Sequence, residues 1–193
     1  KHVACYNDRV QHIILATNTY NIEFVHCYFP NVRHTVVYRT EIATLLRKII
    51  LSRTQFNPLI LLGDLNLRLQ GRRDAERDVL GPHIFGLGVD YLADQDEHLT
   101  RDLFLALARE CKLSHVNSRF EPARPTCRDM GVEPVDPITI HTHAELDHAF
   151  ITKRYLKLIK TFQVDYSLTS LLESDHYPLI FSLNINPRRI KFK

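Results

Sequence analysis

The chain has 193 residues, of which 45% are hydrophobic and 24% are charged, and its formal net charge is +3. With only six glycines and nine prolines, this composition excludes collagen-like, low-complexity and intrinsically disordered proteins and indicates a globular domain. The small basic excess permits a polyanionic partner without requiring one. The longest apolar runs are too short to cross a bilayer, and no signal-peptide pattern opens the chain, so no membrane role is expected.

The four cysteines are far apart and form no C-x-x-C pair. This spacing argues against a zinc finger or a disulfide framework. It favours buried thiols in a reducing, intracellular compartment. The cysteines are Cys5, Cys27, Cys111 and Cys127.

The first part of the chain predicts a hairpin, a helix and a buried strand. Apolar runs at 11–18 and 22–28 flank Thr19-Tyr20-Asn21, which is the pattern of a β-hairpin. From Glu41 onward, apolar residues recur at the spacing of one buried helical face. Residues 59–62 are fully apolar, as is typical of a central strand.

The second part predicts a long loop, a second helix and several strands. Residues 67–98 carry many charges and glycines, which favours an extended surface loop, and Thr100 is expected to cap the helix that follows. Strands are predicted over 113–116, 146–152, 158–166 and 178–185. Short strands interleaved with helices indicate an α/β or α+β domain. We expect one domain over residues 1–187 and a basic tail over 188–193.

Three polar clusters stand at the ends of predicted strands, where a scaffold holds side chains open to solvent. They are Asp64-Leu65-Asn66, Asp147-His148 and Ser174-Asp175-His176. In an extended segment, alternation would place Asp64 and Asn66 on one side. Phosphodiester hydrolysis uses a divalent cation, a group that takes a proton from water and donors for the transition-state oxygens, which Asp, Asn, His and Tyr can supply. Carboxylate and amide oxygens also suit Mg²⁺.

Four short motifs follow one another between residues 28 and 179. They are Tyr28-Phe29-Pro30-Asn31, LLGDLN (61–66), Leu146-Asp147-His148 and SDHYPL (174–179). Each alone is more often a turn or a cap than a site, but the ordered set resembles the endonuclease/exonuclease/phosphatase superfamily. That superfamily includes apurinic/apyrimidinic endonucleases, deoxyribonuclease I, inositol-phosphate phosphatases and the endonuclease domains of non-LTR retrotransposons. The loop GPHIFG (81–86) resembles the retrotransposon group in particular.

The resemblance implies a four-layer α/β/β/α sandwich of two mainly antiparallel sheets. The family's first strands carry an Asn and a metal-binding Glu, and neither has a counterpart before Tyr28. We therefore expect a domain truncated at its N-terminus, with an incomplete metal site and poor activity on its own. It would be either a fragment of an active enzyme or a degenerate element.

The resemblance also implies residue roles. Asp64 would polarise or deprotonate the attacking water, and Asn66 would orient that water. His176 would contact the scissile phosphate or act as the base, Asp147 would fix the imidazole ring, and Tyr28 would donate to a phosphate or leaving oxygen. The expected ligands of Mg²⁺, or alternatively Mn²⁺, are Asp64, Asn66, Asp175 and His176. The expected substrate-binding residues are Asn31, Arg68 and Arg72, although a solvated mixed-charge loop explains the two arginines equally well.

The favoured function is metal-dependent hydrolysis of DNA phosphodiester bonds by an endonuclease of retrotransposon type. Two alternatives stay open: a phosphomonoesterase acting on a small phosphorylated molecule, and a catalytically dead nucleic-acid-binding relic. We expect a monomer that is fused to a reverse transcriptase in the full-length protein. A retrotransposon origin would imply a nuclear location.

Overall fold

The computed structural model describes residues 2–16, 21–53, 56–129, 131–133, 136–167 and 174–184. Residues 19 and 20 of the predicted hairpin turn at 19–21, and the basic tail at 188–193, lie outside these residues. The described part of the chain contains ten strands and two α-helices. The strands are β1 (His2–Cys5), β2 (Val10–Ala16), β3 (Asn21–Cys27), β4 (Leu59–Asp64), β5 (Leu113–His115), β6 (Cys127–Arg128), β7 (His143–Ala144), β8 (Asp147–Thr152), β9 (Ile159–Val164) and β10 (Leu179–Leu183), and the helices are α1 (Val36–Ser52) and α2 (Gln95–Glu110).

Six strands form one mixed sheet in the order β1-β2-β3-β4-β8-β5. Every neighbouring pair is antiparallel except β3 and β4, which run parallel because α1 connects them. The predicted central strand at 59–62 is confirmed as the buried part of β4. The pairs β9–β10 and β6–β7 form two small antiparallel sheets.

The two faces of the large sheet are covered differently. On one face, Val25 and Leu61 pack in a cluster with Leu46 of α1 and Phe104 of α2. On the other face, Ile60 packs in a separate cluster with residues of β9 and β10. The described residues thus form a helix layer, a six-stranded layer and a small β layer, which is a mixed α/β fold with mainly antiparallel sheets.

The second helix begins earlier than predicted, and the expected Thr100 cap is wrong. Asp94 is the N-cap, since its side chain accepts a 2.8 Å hydrogen bond from the backbone N–H of Glu97. Thr100 lies inside α2, where its hydroxyl donates to the carbonyl of Asp96 and accepts from Arg39. Among the described residues, neither helix has both the length and the apolar character needed to span a membrane.

The segment 67–98 is not the extended surface loop that its charges predicted. Leu67, Leu69 and Leu80 are at most 1% exposed. Arg101 of α2 is fully buried beside the segment, donates 3.1 Å hydrogen bonds to the carbonyls of Leu69 and Gly71, and pairs with Glu76 at 2.7 Å. Although the segment is rich in charged residues, Leu67 and Leu69 point into the core and Glu76 forms a buried ion pair with Arg101.

Candidate active site

An open cleft of about 560 Å³ lies where β4 ends and β8 begins. The antiparallel register places Asp64, the last residue of β4, opposite Asp147, the first residue of β8. The segment before β10 adds His176. The polar residues that line the cleft are His26, Tyr28, Asp64, Asp147, Ser174 and His176.

Asp64 and Asn66 come together through a turn and not through strand alternation. The strand ends at Asp64, and Asn66 has a positive φ of 46°, a conformation that Asn tolerates better than most residues. The Asn66 backbone N–H donates to Oδ1 of Asp64 at 2.9 Å. Its Nδ2 donates to Oδ2 of Asp64 at 3.3 Å and to the carbonyl of Phe29 at 2.8 Å. The predicted proximity is therefore present, but the predicted reason for it is wrong.

The environment of Asp64 favours a proton acceptor. Burial raises the pKa of Asp64 to about 6, against the opposing effect of the hydrogen bond from the Asn66 backbone, and the charge of Asp147 raises it further. A carboxyl group with this pKa is largely ionised at neutral pH and is more basic than an ordinary aspartate.

His176 and Asp147 form a hydrogen-bonded ion pair. Nδ1 of His176 lies 2.7 Å from Oδ2 of Asp147. The hydrogen bond to Asp147, followed by one to Cys127, raises the pKa of His176 well above its ordinary value of 6.5. The predicted contact between the two side chains is present, and it keeps the imidazole protonated near neutral pH.

Thr126, which the sequence did not single out as a site residue, holds both parts of this pair. It is fully buried, and its Oγ1 accepts from the backbone N–H groups of Leu146 at 2.9 Å and Asp147 at 2.8 Å. Its backbone carbonyl accepts from the N–H of Tyr177, next to His176. A lone threonine in a proline-rich segment gives no sequence signal for this role.

The fold resembles solved nucleases and a phosphatase. The sequence matches no protein-family model, and a search of curated proteins finds no match. The endonuclease domain of TRAS1, a telomere-specific non-LTR retrotransposon, aligns at 21% identity with a TM-score of 0.58, over 96% of this chain and 69% of that one. An AP endonuclease from Archaeoglobus fulgidus aligns at 17% identity with a TM-score of 0.66, over 92% of this chain and 66% of that one. A variant of the 3′ phosphatase NExo from Neisseria, bound to a product DNA hairpin, aligns at 16% identity with a TM-score of 0.61, over 92% of this chain and 65% of that one.

The chain shares its fold with these three structures and spans roughly two thirds of their length. At these identities the likeness establishes the fold and not the chemistry of any one of them.

The remaining predicted site residues lie in or near the cleft loops. Tyr28 is 47% exposed in the cleft, and the Arg9 guanidinium lies over its ring at 4.9 Å. Oδ1 of Asn31 accepts from the backbone N–H of Arg33 within the same loop. Arg68 pairs with Glu97 at 3.3 Å, and Arg72 donates to the carbonyl of Leu80. Neither of these arginines lines the cleft, so their contact with substrate stays a prediction.

The donor set of the cleft fits a hard divalent cation. Mg²⁺ is typically held by one or two carboxylates together with water and substrate phosphates. The negative charges of Asp147 and Asp175 both raise the pKa of Asp64, and a cation at the cleft would relieve this repulsion. Because Nδ2 of Asn66 donates to Asp64, Asn66 would approach a cation through Oδ1. His26 and Ser174 also line the cleft. Ser174 belongs to the SDHYPL motif, whereas no sequence motif indicated His26.

Proposed function

We propose that this cleft hydrolyses phosphodiester bonds of DNA with the help of a divalent cation, Mg²⁺ by preference. The observation that carries the proposal is the convergence of Asp64 with the Asp147–His176 pair at one end of the sheet. One carboxyl group there has a pKa of about 6, and a protonated imidazole faces the same open cleft. The Asp64 carboxylate can therefore accept a proton, and the positively charged His176 imidazole can bind an anionic substrate.

Asp64 acts as the proton acceptor in this proposal. Its partial burial and its raised pKa make its carboxylate more basic than that of an exposed aspartate. Asn66 fixes the carboxylate through hydrogen bonds to both of its oxygens. The attacking water would be oriented by these two side chains.

His176 acts as a charged hydrogen-bond donor and not as the base. Its ring is held by Asp147 at 2.7 Å, and its raised pKa keeps the imidazolium form at neutral pH. A charged donor stabilises the extra negative charge that develops on the phosphoryl oxygens. Tyr28, which is exposed and lines the same cleft, supplies a phenol donor to the phosphate or to the leaving oxygen.

Asp64 would hold the cation, with Asp175 as a further carboxylate ligand. The predicted ligation by His176 does not fit this proposal, because an imidazolium paired with Asp147 has no lone pair for a metal ion. When bound, Mg²⁺ would offset negative charge on the phosphoryl oxygens. The structural relatives, which include an endonuclease domain and an AP endonuclease, also support the proposal. An origin in a retrotransposon, a fused reverse transcriptase and a nuclear location are finer proposals, carried by the GPHIFG loop and by the likeness to TRAS1.

A second candidate is phosphomonoester hydrolysis, since one structural relative is named as a 3′ phosphatase bound to a DNA hairpin. Both reactions would use the same groups of the cleft. They differ in the substrate, because the DNA strand continues beyond the phosphate in a phosphodiester and ends there in a phosphomonoester. A third reading, a DNA-binding relic, would bind without cleaving, with affinity falling steeply as salt rises.

Two substrates separate these functions. The purified 193-residue chain is incubated with supercoiled plasmid and with a 3′-phosphorylated oligonucleotide, each with Mg²⁺ or with EDTA. Nicking of the plasmid in Mg²⁺ alone supports the endonuclease, whereas release of phosphate from the oligonucleotide without nicking supports the phosphatase. Salt-sensitive binding with neither reaction would overturn both enzymatic proposals.

A further inference from the structure

Three metal-ligating side chains meet in the core beside the cleft, outside the proposed catalytic set. His115 belongs to β5, His148 to β8, and Glu145 to the residues just before β8. Both histidines are 0% exposed and Glu145 is 5% exposed. One ligand atom from each of the three lies within 4.8 Å of the others.

The hydrogen bonds define how these groups face one another. Nε2 of His148 lies 2.7 Å from the carbonyl of Leu67, and because a carbonyl only accepts, this nitrogen carries the proton. The lone pair of neutral His148 is therefore on Nδ1. That atom accepts a 2.9 Å hydrogen bond from Nε2 of His115 and lies 4.0 Å from Oε1 of Glu145. A metal ion would replace the proton that lies between the two histidine nitrogens. Fixing one ring nitrogen with a carbonyl is the usual way in which proteins orient a metal-binding histidine.

The cluster also contains polar atoms that the described part of the chain leaves unsatisfied. Oε2 of Glu145 and Nδ1 of His115 are buried and have no hydrogen-bond partner among the described residues. Burial raises the pKa of Glu145 to about 8, against the hydrogen bonds from the Asn117 side chain and the Phe85 backbone, so without a cation Glu145 is largely the neutral acid. A bound dication would supply the charge that stabilises its carboxylate form. Burial lowers the pKa of both imidazoles below the ordinary value, so the rings are neutral, as metal ligation requires.

We infer that His115, Glu145 and His148 form a buried site for a transition-metal dication, and that Zn²⁺ suits its ligands best. In tetrahedral zinc sites the metal–ligand bonds are about 2.0–2.2 Å, which separates neighbouring ligand atoms by about 3.4 Å. The two separations, 2.9 and 4.0 Å, lie on either side of this value. The two imidazoles are borderline-soft ligands that favour zinc over magnesium, and zinc also accepts one carboxylate.

A small cavity of about 10 Å³ borders Glu145 and is lined by Phe85 and Arg68 among others, but by neither His115 nor His148. That volume accommodates about one water molecule. The site would join β5, β8 and, through His148, the carbonyl of Leu67, and would stiffen the strand that carries Asp147.

Metal binding by the purified 193-residue chain tests the inference. Zinc is titrated in competition with a chromophoric chelator, and thermal unfolding is followed with and without zinc. We expect one zinc per chain and a higher Tm in zinc. Glu145→Gln and His148→Gln should each weaken zinc binding at least tenfold, whereas His12→Gln, which alters another largely buried histidine that pairs with a glutamate, should not.

A second group must be separated from this one, since Cys127, Asp175 and His176 also bring ligand atoms together at the cleft. Cys127→Ser and Asp64→Asn should leave zinc affinity unchanged if the core cluster is the site. X-ray absorption of the zinc-loaded wild-type chain gives a readout that does not depend on any variant folding. Nitrogen and oxygen scatterers with imidazole signatures are expected. A sulfur scatterer, loss of zinc in Cys127→Ser, or no zinc retained by the folded wild-type chain would overturn the inference.

Discussion

Asp64 lies directly opposite Asp147 across the β4–β8 pair, yet the two carboxyl groups have different partners. Asp147 is paired with the His176 imidazole at 2.7 Å. Asp64 accepts hydrogen bonds from Asn66 and has a pKa of about 6. Two neighbouring carboxyl groups in different environments take different roles, so Asp64 is assigned the proton transfer and Asp147 the support of a charged imidazole.

The pH dependence of the reaction should report the ionisation of Asp64. Because the pKa of Asp64 is about 6 without a metal ion, and a bound cation would lower it, kcat/KM should rise with pH through a midpoint at or below about 6 and level off above it. His176 stays protonated through this range, since its pKa is raised well above 6.5. The measurement is the rate of plasmid nicking between about pH 4.5 and 8. A profile that instead falls as pH rises through 6 would assign the essential proton to an acid and contradict this role.

Asp64→Asn should stabilise the fold while abolishing cleavage. The folded pKa of about 6 exceeds the unfolded value of 3.8, so the native state holds more protons between these values and loses stability as pH rises. Above about pH 6 the buried Asp64 is ionised and its charge lowers the free energy of unfolding by the full amount. Asn carries no charge, so the variant avoids this loss. Allowing for partial exposure, we expect the variant to be about 1–2 kcal/mol more stable than wild type near pH 8.

That difference should shrink as pH falls and disappear below about pH 4, where Asp64 is protonated in both states. Urea unfolding at both pH values measures it. Asp90→Asn, which alters an exposed aspartate of the 89–91 turn, is the matched control and should show little change. An equal effect of Asp64→Asn at both pH values would mean that the burial of charge is not the cause.

Asp147→Asn should lower the rate without removing any atom that contacts the substrate. The variant loses the negative charge that raises the pKa of His176, and a rate loss on the order of 10²–10⁴ is expected. NMR titration of the imidazole should show the pKa of His176 returning toward 6.5. An imidazole pKa that stays high in Asp147→Asn would show that another group holds the proton.

Gly63→Ala should disrupt the turn that presents Asp64. Gly63 has a φ of +136°, and an added Cβ would lie 2.2 Å from the backbone carbonyl oxygen of Cys27. Since a backbone atom of the core strand β3 cannot move away cheaply, we expect a loss of at least about 2–4 kcal/mol in the free energy of unfolding. Gly131→Ala is the control, because Gly131 also has a positive φ but nothing lies within 4 Å of its added Cβ. If both variants lost a similar free energy of unfolding, the positive φ alone, and not the clash with Cys27, would explain the effect.

The strand ends that carry the site were predictable, but several of the contacts between them were not. The buried run at 59–62 and the polar residues after it predicted where Asp64 would lie, since a central strand has to end at the surface. The roles of Thr126 and of the His115–His148 pair depend on residues 20 or more positions apart that only the folded sheet brings together. The prediction of an extended surface loop over 67–98 is wrong because Glu76 of this segment pairs with Arg101 in the core. The amino-acid composition does not reveal such a buried ion pair.

The most direct test of the proposed chemistry is single-turnover nicking of supercoiled plasmid by an excess of the 193-residue chain in Mg²⁺. Excess protein makes even a slow reaction measurable. We predict nicking that EDTA abolishes, that Asp64→Asn and His176→Gln each reduce by on the order of 10² or more, and that Asp90→Asn leaves unchanged. Nicking that persists in Asp64→Asn, or no nicking by the folded wild-type chain, would contradict the assignment of this cleft as a phosphodiesterase site.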